Sequence, residues 1–188
     1  MSKVRLSLYH VKKNLYGWIQ SQIQEGLIDI PSSQVVWREQ SEPLPARPCV
    51  TLKIISGPRR VGFDDHVSLV DDPSGTFNLG GQRELTLSVQ VFGTKAQPGL
   101  ADEIANLLNA SLSKMTVTDR LRAGILEGGV RKGVVAVFSR GDVSDFSALE
   151  ETEFEERSQF DVILGVAENI EDQAGIIETA VVNVTKNP

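Results

Sequence analysis

Cysteine is almost missing from this chain: of 188 residues only Cys49 carries a thiol, so no internal disulfide and no multi-cysteine metal site can be built from it. A reducing, cytoplasmic setting is the simplest expectation. Histidine is nearly as scarce, with only His10 and His66. Basic residues are in deficit: 19 Lys and Arg against 25 Asp and Glu give a net charge of -6, and no stretch forms a dense basic stripe. A field of that sign repels nucleic acid, which argues against a reader of DNA sequence. Long apolar runs are lacking too. Nothing approaches the roughly 18 to 20 consecutive apolar residues that cross a bilayer, and Tyr9, His10, Lys12, Lys13 and Asn14 interrupt any secretory h-region. The expectation is a soluble protein that is neither exported nor held in a membrane.

The apolar content, 40%, is enough for the core of one domain spanning residues 1–188. Between Ser7 and Glu25, Leu8, Val11, Leu15, Trp18, Ile19 and Ile23 recur three and four apart, which predicts an amphipathic helix stopped by Gly26. Pro31, Pro43, Pro45 and Pro48 then forbid a long helix and leave an ordered connector, with a short strand at Val35–Trp37. Cys49 to Ser56 alternates as a half-buried strand, ended by Gly57 and Pro58. Residues 59–82 read as an exposed hairpin arm, with strands near Val67–Val70 and Thr76–Leu79 around a type I turn at Asp72-Pro73-Ser74-Gly75.

The cleanest alternation runs from Glu84 to Val91. Leu100, Ile104, Leu107, Leu108 and Leu112 predict a second helix, and Thr116 with Asp119 resembles the capping box of a short third one containing Leu121. Strands follow at Val134–Ser139, Glu153–Val166 and Ile176–Val184, with a loose tail at 185–188. Period-2 alternation on most strands implies a largely antiparallel sheet covered by helices on one face, hence an α+β fold: two main amphipathic helices packed on the sheet, plus the projecting arm.

Signals for chemistry are sparse. His10 falls on the polar side of the first helix and reads as a solvated residue. Asp64, Asp65 and His66 include metal-ligand types, yet neighbours in a strand point to opposite faces, so a hairpin surface is the better reading. Neither histidine sits in a nucleophile or metal motif. Cys49, between Pro48 and Val50, reads as a buried inert thiol. The acidic run Glu150, Glu151, Glu153, Glu155, Glu156 is split between strand faces and reads as solvated charge. The pairs Gly80-Gly81 and Gly128-Gly129 lack the lysine and hydroxyl residue of a phosphate-binding loop and read as turns. No catalytic, cofactor or metal residue is assigned. Arg59, Arg60, Arg131 and Lys132, each pair beside a glycine in a predicted loop, join Asp64 and Asp65 as candidate assembly contacts, with plain surface charge as the alternative.

Several segments in this order carry a likeness. They are Val36-Trp37; Pro48-Cys49-Val50-Thr51-Leu52-Lys53-Ile54; the stretch from Gly81-Gln82-Arg83-Glu84-Leu85 to Val91-Phe92-Gly93; Asp119-Arg120-Leu121-Arg122-Ala123-Gly124-Ile125; Asp145-Phe146-Ser147-Ala148-Leu149; and Glu155-Glu156-Arg157-Ser158-Gln159-Phe160-Asp161. The chain resembles, over nearly its whole length, the neck or tail-terminator proteins of long-tailed phages and prophages. It departs from their pattern at Cys49, where an aromatic is expected, and at Phe154, where tryptophan is commoner.

The resemblance implies a structural virion protein, assembled in the host cytoplasm, without cofactor or enzymatic activity. It implies a homo-oligomeric ring of six copies that caps the tail tube and joins it to head-completion proteins, with DNA only as cargo in the channel. A head-completion adaptor or a tail-tube subunit is the nearest rival. A small metal-dependent enzyme using Asp64, Asp65 and His66 is the rival from another class.

Overall fold

The computed structural model describes residues 6–38, 43–62, 66–69, 76–150 and 153–173. The apolar stripe of the first helix folds as read: α1 spans Leu8–Gln24 and buries Val11, Leu15, Trp18 and Ile19. Gly26, at φ 70°, terminates it in a left-handed turn, where the Leu27 N–H reaches Gln22 O and the Gly26 N–H reaches Ile23 O. The elements that follow are β1 (Val35–Trp37), β2 (Cys49–Arg60), β3 (His66–Leu69), β4 (Thr76–Phe92), α2 (Leu100–Ser111) and α3 (Met115–Ala123). Then come β5 (Ile125–Glu127), β6 (Val130–Lys132), β7 (Ala136–Arg140), β8 (Ser144–Asp145), β9 (Ala148–Glu150), β10 (Glu153–Glu155) and β11 (Arg157–Gln173).

The main sheet has the order β1-β2-β4-β11-β7, with β3 added to β4 and β8 to β11. Every pairing in it is antiparallel except β1 with β2. Alternation puts Val50 and Leu52, Leu85 to Val91, and Phe160 to Val166 on one face. There they form a single buried cluster with α1, α2 and α3, as an α+β layer requires. Two polar contacts fasten the helices inside it. Trp18 Nε1 donates to Ser111 Oγ at 2.9 Å, and Asn14 Nδ2 lies 2.8 Å from Leu121 O and 2.9 Å from Gly133 O. The opposite face is polar. A ladder crosses it from Arg38 Nη1 to Gln90 Oε1 (3.1 Å), from Gln90 Nε2 to Gln159 Oε1 (2.9 Å) and on to Asp161 Oδ1 (3.2 Å).

Several expectations are corrected. β2 does not end at Gly57-Pro58 but continues to Arg60 through register shifts after Ile54 and Ser56. Pro58 falls within the second of these shifts, between Ser56 and Arg59, where β2 and β4 make no regular pairing. Gly80-Gly81 is no turn: both lie within β4, paired with Asn169 and Glu168. The arm's second strand and the Glu84–Val91 strand are therefore one element, and β11 flanks the arm to its end at Gln173. The Glu153–Val166 strand breaks at Glu156, separating the β9–β10 hairpin from β11. Thr116 caps nothing, since it lies inside α3, whose N-cap is Lys114. The turn at 72–75, the strand expected at 176–184 and the tail at 185–188 lie outside the described residues.

Candidate assembly surface

The six residues singled out from sequence fall into separate places. Arg59 and Arg60 stand at the end of β2, where the arm leaves the helix-covered sheet, so they are strand residues and not loop residues. Arg59 Nε donates to Glu84 Oε1 at 2.9 Å across the β2–β4 ladder. Arg60 stands opposite Arg83, whose Nε donates to Glu168 Oε2 at 2.7 Å. Three arginines and two glutamates thus gather at the arm's base, with the two like charges Arg60 and Arg83 set opposite each other. Asp64 and Asp65 lie outside the described residues, and His66 opens β3. Among the described residues no group of three or more His, Cys, Asp or Glu could hold a metal ion.

Arg131 and Lys132 belong to β6, not to a loop; Gly128 and Gly129, both at positive φ, make the turn that pairs β6 with β5. This small hairpin is tied to α1 by His10, which the sequence reading left in solvent. The His10 ring is only 12% exposed. Its Nε2 lies 2.8 Å from Glu127 Oε2 and its Nδ1 2.7 Å from Ser7 Oγ. Because a carboxylate only accepts, Nε2 is the donor. Lys132 Nζ reaches the same Glu127 oxygen at 2.7 Å. Hydrogen bonds from Lys132 and then His10 hold the Glu127 carboxyl down at about 2. Gly133 fits against the His10 backbone where a Cβ would collide. Outside this junction the hairpin presents Leu126, 71% exposed, and the exposed Arg131.

At the opposite end of the sheet lies a cleft of about 1090 Å³, lined by residues including Arg47, Lys95, Asp102, Asp145 and Glu156. The N-terminus of α2 faces it. Glu156 Oε1 accepts the Ala101 N–H at 3.0 Å, so a carboxylate from the break between β10 and β11 supplies the cap that Gly99 lacks. Gly93 leaves room for that side chain. Asp145 is held below the usual carboxylate range by hydrogen bonds from Ser147. Arg47 pairs with Glu155 and lies 5.6 Å over the Phe92 ring. Cys49 is buried beneath. Burial raises its thiol to about 11, outweighing the nearby Arg47, while Glu155 adds a smaller upward push. That thiol is inert, as read from sequence.

The cleft residues were invisible as a set because their contacts span 55 residues, as from Ala101 to Glu156. The acidic run did flag Glu155 and Glu156, though as solvated charge. In the cleft Glu156 caps α2, Arg47 pairs with Glu155, and Asp145 accepts from Ser147.

No helix among the described residues is long and apolar enough to cross a membrane. No curated protein matches the chain. A family model described as phage neck terminator protein matches residues 11–188, in agreement with the likeness carried by the Gly81–Gly93 and Glu155–Asp161 segments. The family is one of structural virion proteins of the phage neck, and with a match over nearly its full length this chain belongs to it.

Proposed function

We propose that copies of this chain, each a single domain, close into a ring of six that caps the finished tail tube and joins it to the head-completion proteins, with DNA passing through as cargo. The observation that carries this reading is the arm. β4 and β11 stay in antiparallel register from Arg157↔Phe92 to Gln173↔Thr76, so a stiff ribbon projects from the helix-covered core. A cyclic ring needs a heterologous interface, in which one patch meets a different patch on the next copy. The arm and the β5–β6 hairpin leave from one end of the sheet, and the cleft at the N-terminus of α2 lies at the other, which supplies two unlike patches. Arg59, Arg60, Asp64 and Asp65 on the arm, with Arg131 and Lys132 on the hairpin, are the proposed contacts. The pairs Arg59–Glu84 and Lys132–Glu127 are exposed enough to exchange partners with a neighbour's carboxylates.

The net charge of -6 suits a channel through which DNA must slide, because each phosphate contact by a basic residue strengthens binding. A strongly basic inner surface would contradict that part. The test is solution mass followed by electron microscopy, with and without tail-tube subunits. A terminator forms one closed ring and stops tube growth. Indefinite stacking would make the protein a tube subunit instead, and a ring that binds only the head side would make it an adaptor.

A further inference from the structure

The β5–β6 hairpin has one face that its own chain holds and one that it leaves bare. Leu126 and Arg131 stand opposite each other in the ladder, so their side chains share one side of it. Glu127 and Lys132 belong to the other side, the one fastened to His10 of α1. On the bare side Leu126 is 71% exposed, and the exposed Arg131 has no hydrogen bond or ion pair among the described residues. At the tip, no described atom lies within 4 Å of where a Cβ would stand on Gly128 or Gly129, so a slim turn projects clear of the body.

The cleft beside α2 has the complementary make-up. Its charged lining is Asp102, Asp145 and Glu156 against Arg47 and Lys95. Arg47 is already paired with Glu155, and Glu156 is taken up by the Ala101 N–H. Negative charge is therefore in surplus, and it sits on the exposed carboxylates of Asp102 and Asp145. Val143 and Pro98 add an apolar part to the same lining. Along β11 the cleft stands at Ser158, which pairs with Asp145, while β7 leaves the hairpin's end of the sheet at Gly165, which pairs with Ala136, roughly 23 Å away. A copy's hairpin cannot enter its own cleft.

We propose that the β5–β6 hairpin of one copy docks in the α2 cleft of the next, with Arg131 against Asp102 and Asp145 and Leu126 against Val143 and Pro98. This rests on the ring reading and names the partner of its cleft. Each copy offers one hairpin and one cleft, so the contact runs head to tail and every copy is satisfied only when the ring closes. The hairpin alone is too small for the roughly 800 Å² per partner of a stable interface; it sets register within a larger contact.

The test uses Arg131→Glu and Asp102→Arg, made separately in the full-length protein and assayed where the native chain forms rings, alone or on tail-tube subunits. Each variant by itself should need at least about tenfold more protein to assemble, because every hairpin then meets like charge. Mixed in equal amounts, the two should form rings again: the altered hairpin of one fits the altered cleft of the other, and the unaltered halves fit each other. Misfolded subunits give no such rescue. Variants that assemble like the native chain, or a loss that mixing does not restore, would overturn the proposal and leave the ring standing. Unchanged rings that no longer bind the head-completion protein would assign the cleft to that protein and overturn it as well. A native chain that forms no ring under either condition overturns both readings. Independently, oxidised rings carrying Arg131→Cys with Asp145→Cys should run on denaturing gels as a reducible ladder of multimers, with the buried Cys49 taking no part; monomer alone would refute the contact.

Discussion

Replacing Asn14 by leucine tests how α1 is held to the rest of the molecule. The side chain is 4% exposed, and its amide donates to two backbone carbonyls, Leu121 O and Gly133 O. Leucine keeps the branching and the number of heavy atoms but is bulkier, so the change removes the donors and leaves no room for water. Leu121 O keeps the Val135 N–H at 3.0 Å and the Gly124 N–H at 3.3 Å and loses only a third bond, about 0.5–1.5 kcal/mol. Gly133 O is left without a partner among the described residues, at about 1–3 kcal/mol. Added apolar burial returns roughly 1 kcal/mol of the total. The expected loss is therefore about 0.5–3.5 kcal/mol, centred near 2, which at the centre is a fall of roughly 4–8 °C in Tm for a chain of this size. Urea unfolding should show a lower midpoint with an unchanged slope. Unchanged or increased stability would refute the reasoning. Asn14→Asp adds a sign test. A carboxylate aimed at two carbonyls has its folded pKa raised above the unfolded value of about 3.9. Stability should then be best below that value and fall as pH rises through the folded pKa.

Other predictions concern the same junction and the cleft. Gly133→Ala should destabilise far more than Gly128→Ala, by about 3 kcal/mol against about 1. Both sites have positive φ, but only at Gly133 would the new Cβ meet backbone, 2.8 Å from Val11 N, as denaturant midpoints would report. The Glu127 carboxyl should titrate near 2 by NMR and return toward 4.5 in Lys132→Met; its folded pKa is depressed, so its contribution is present above 4.5 and lost as pH falls toward 2. Cys49 should resist thiol reagents at pH 8 in the folded protein and react once denatured, and rapid native labelling would contradict its burial and its raised pKa of about 11.

Elements whose reasons are local could be read from residue order. The 3.6-residue stripe of α1 and the unbroken alternation from Glu84 to Val91 each report one buried face, and both folded as expected. Gly80-Gly81 misled because glycine's freedom marks turns only where no neighbour takes up its backbone, and here β11 pairs with both residues. His10 looked solvated because its polarity was weighed against its own helix, whereas its partner Glu127 lies 117 residues away. Asn14 gave no sign that it would be buried, since the two carbonyls it serves belong to the end of α3 and the loop before β7. Of the candidate assembly surface, the basic pairs stood out in the sequence. The Glu156 cap on α2 was not, because a cap is recognised in sequence only when its residue adjoins the helix.

The two long strands also have a mechanical meaning. Seventeen residues at roughly 3.3 Å each make β4 about 55 Å long. Their hydrogen bonds to β11 run crosswise to that length, so a force that drags one strand along the other loads many of them together in shear and cannot peel them singly. The ribbon thus behaves as a lever fixed in the core and not as a tether: whatever grips its far end also sets the tilt of the body behind it.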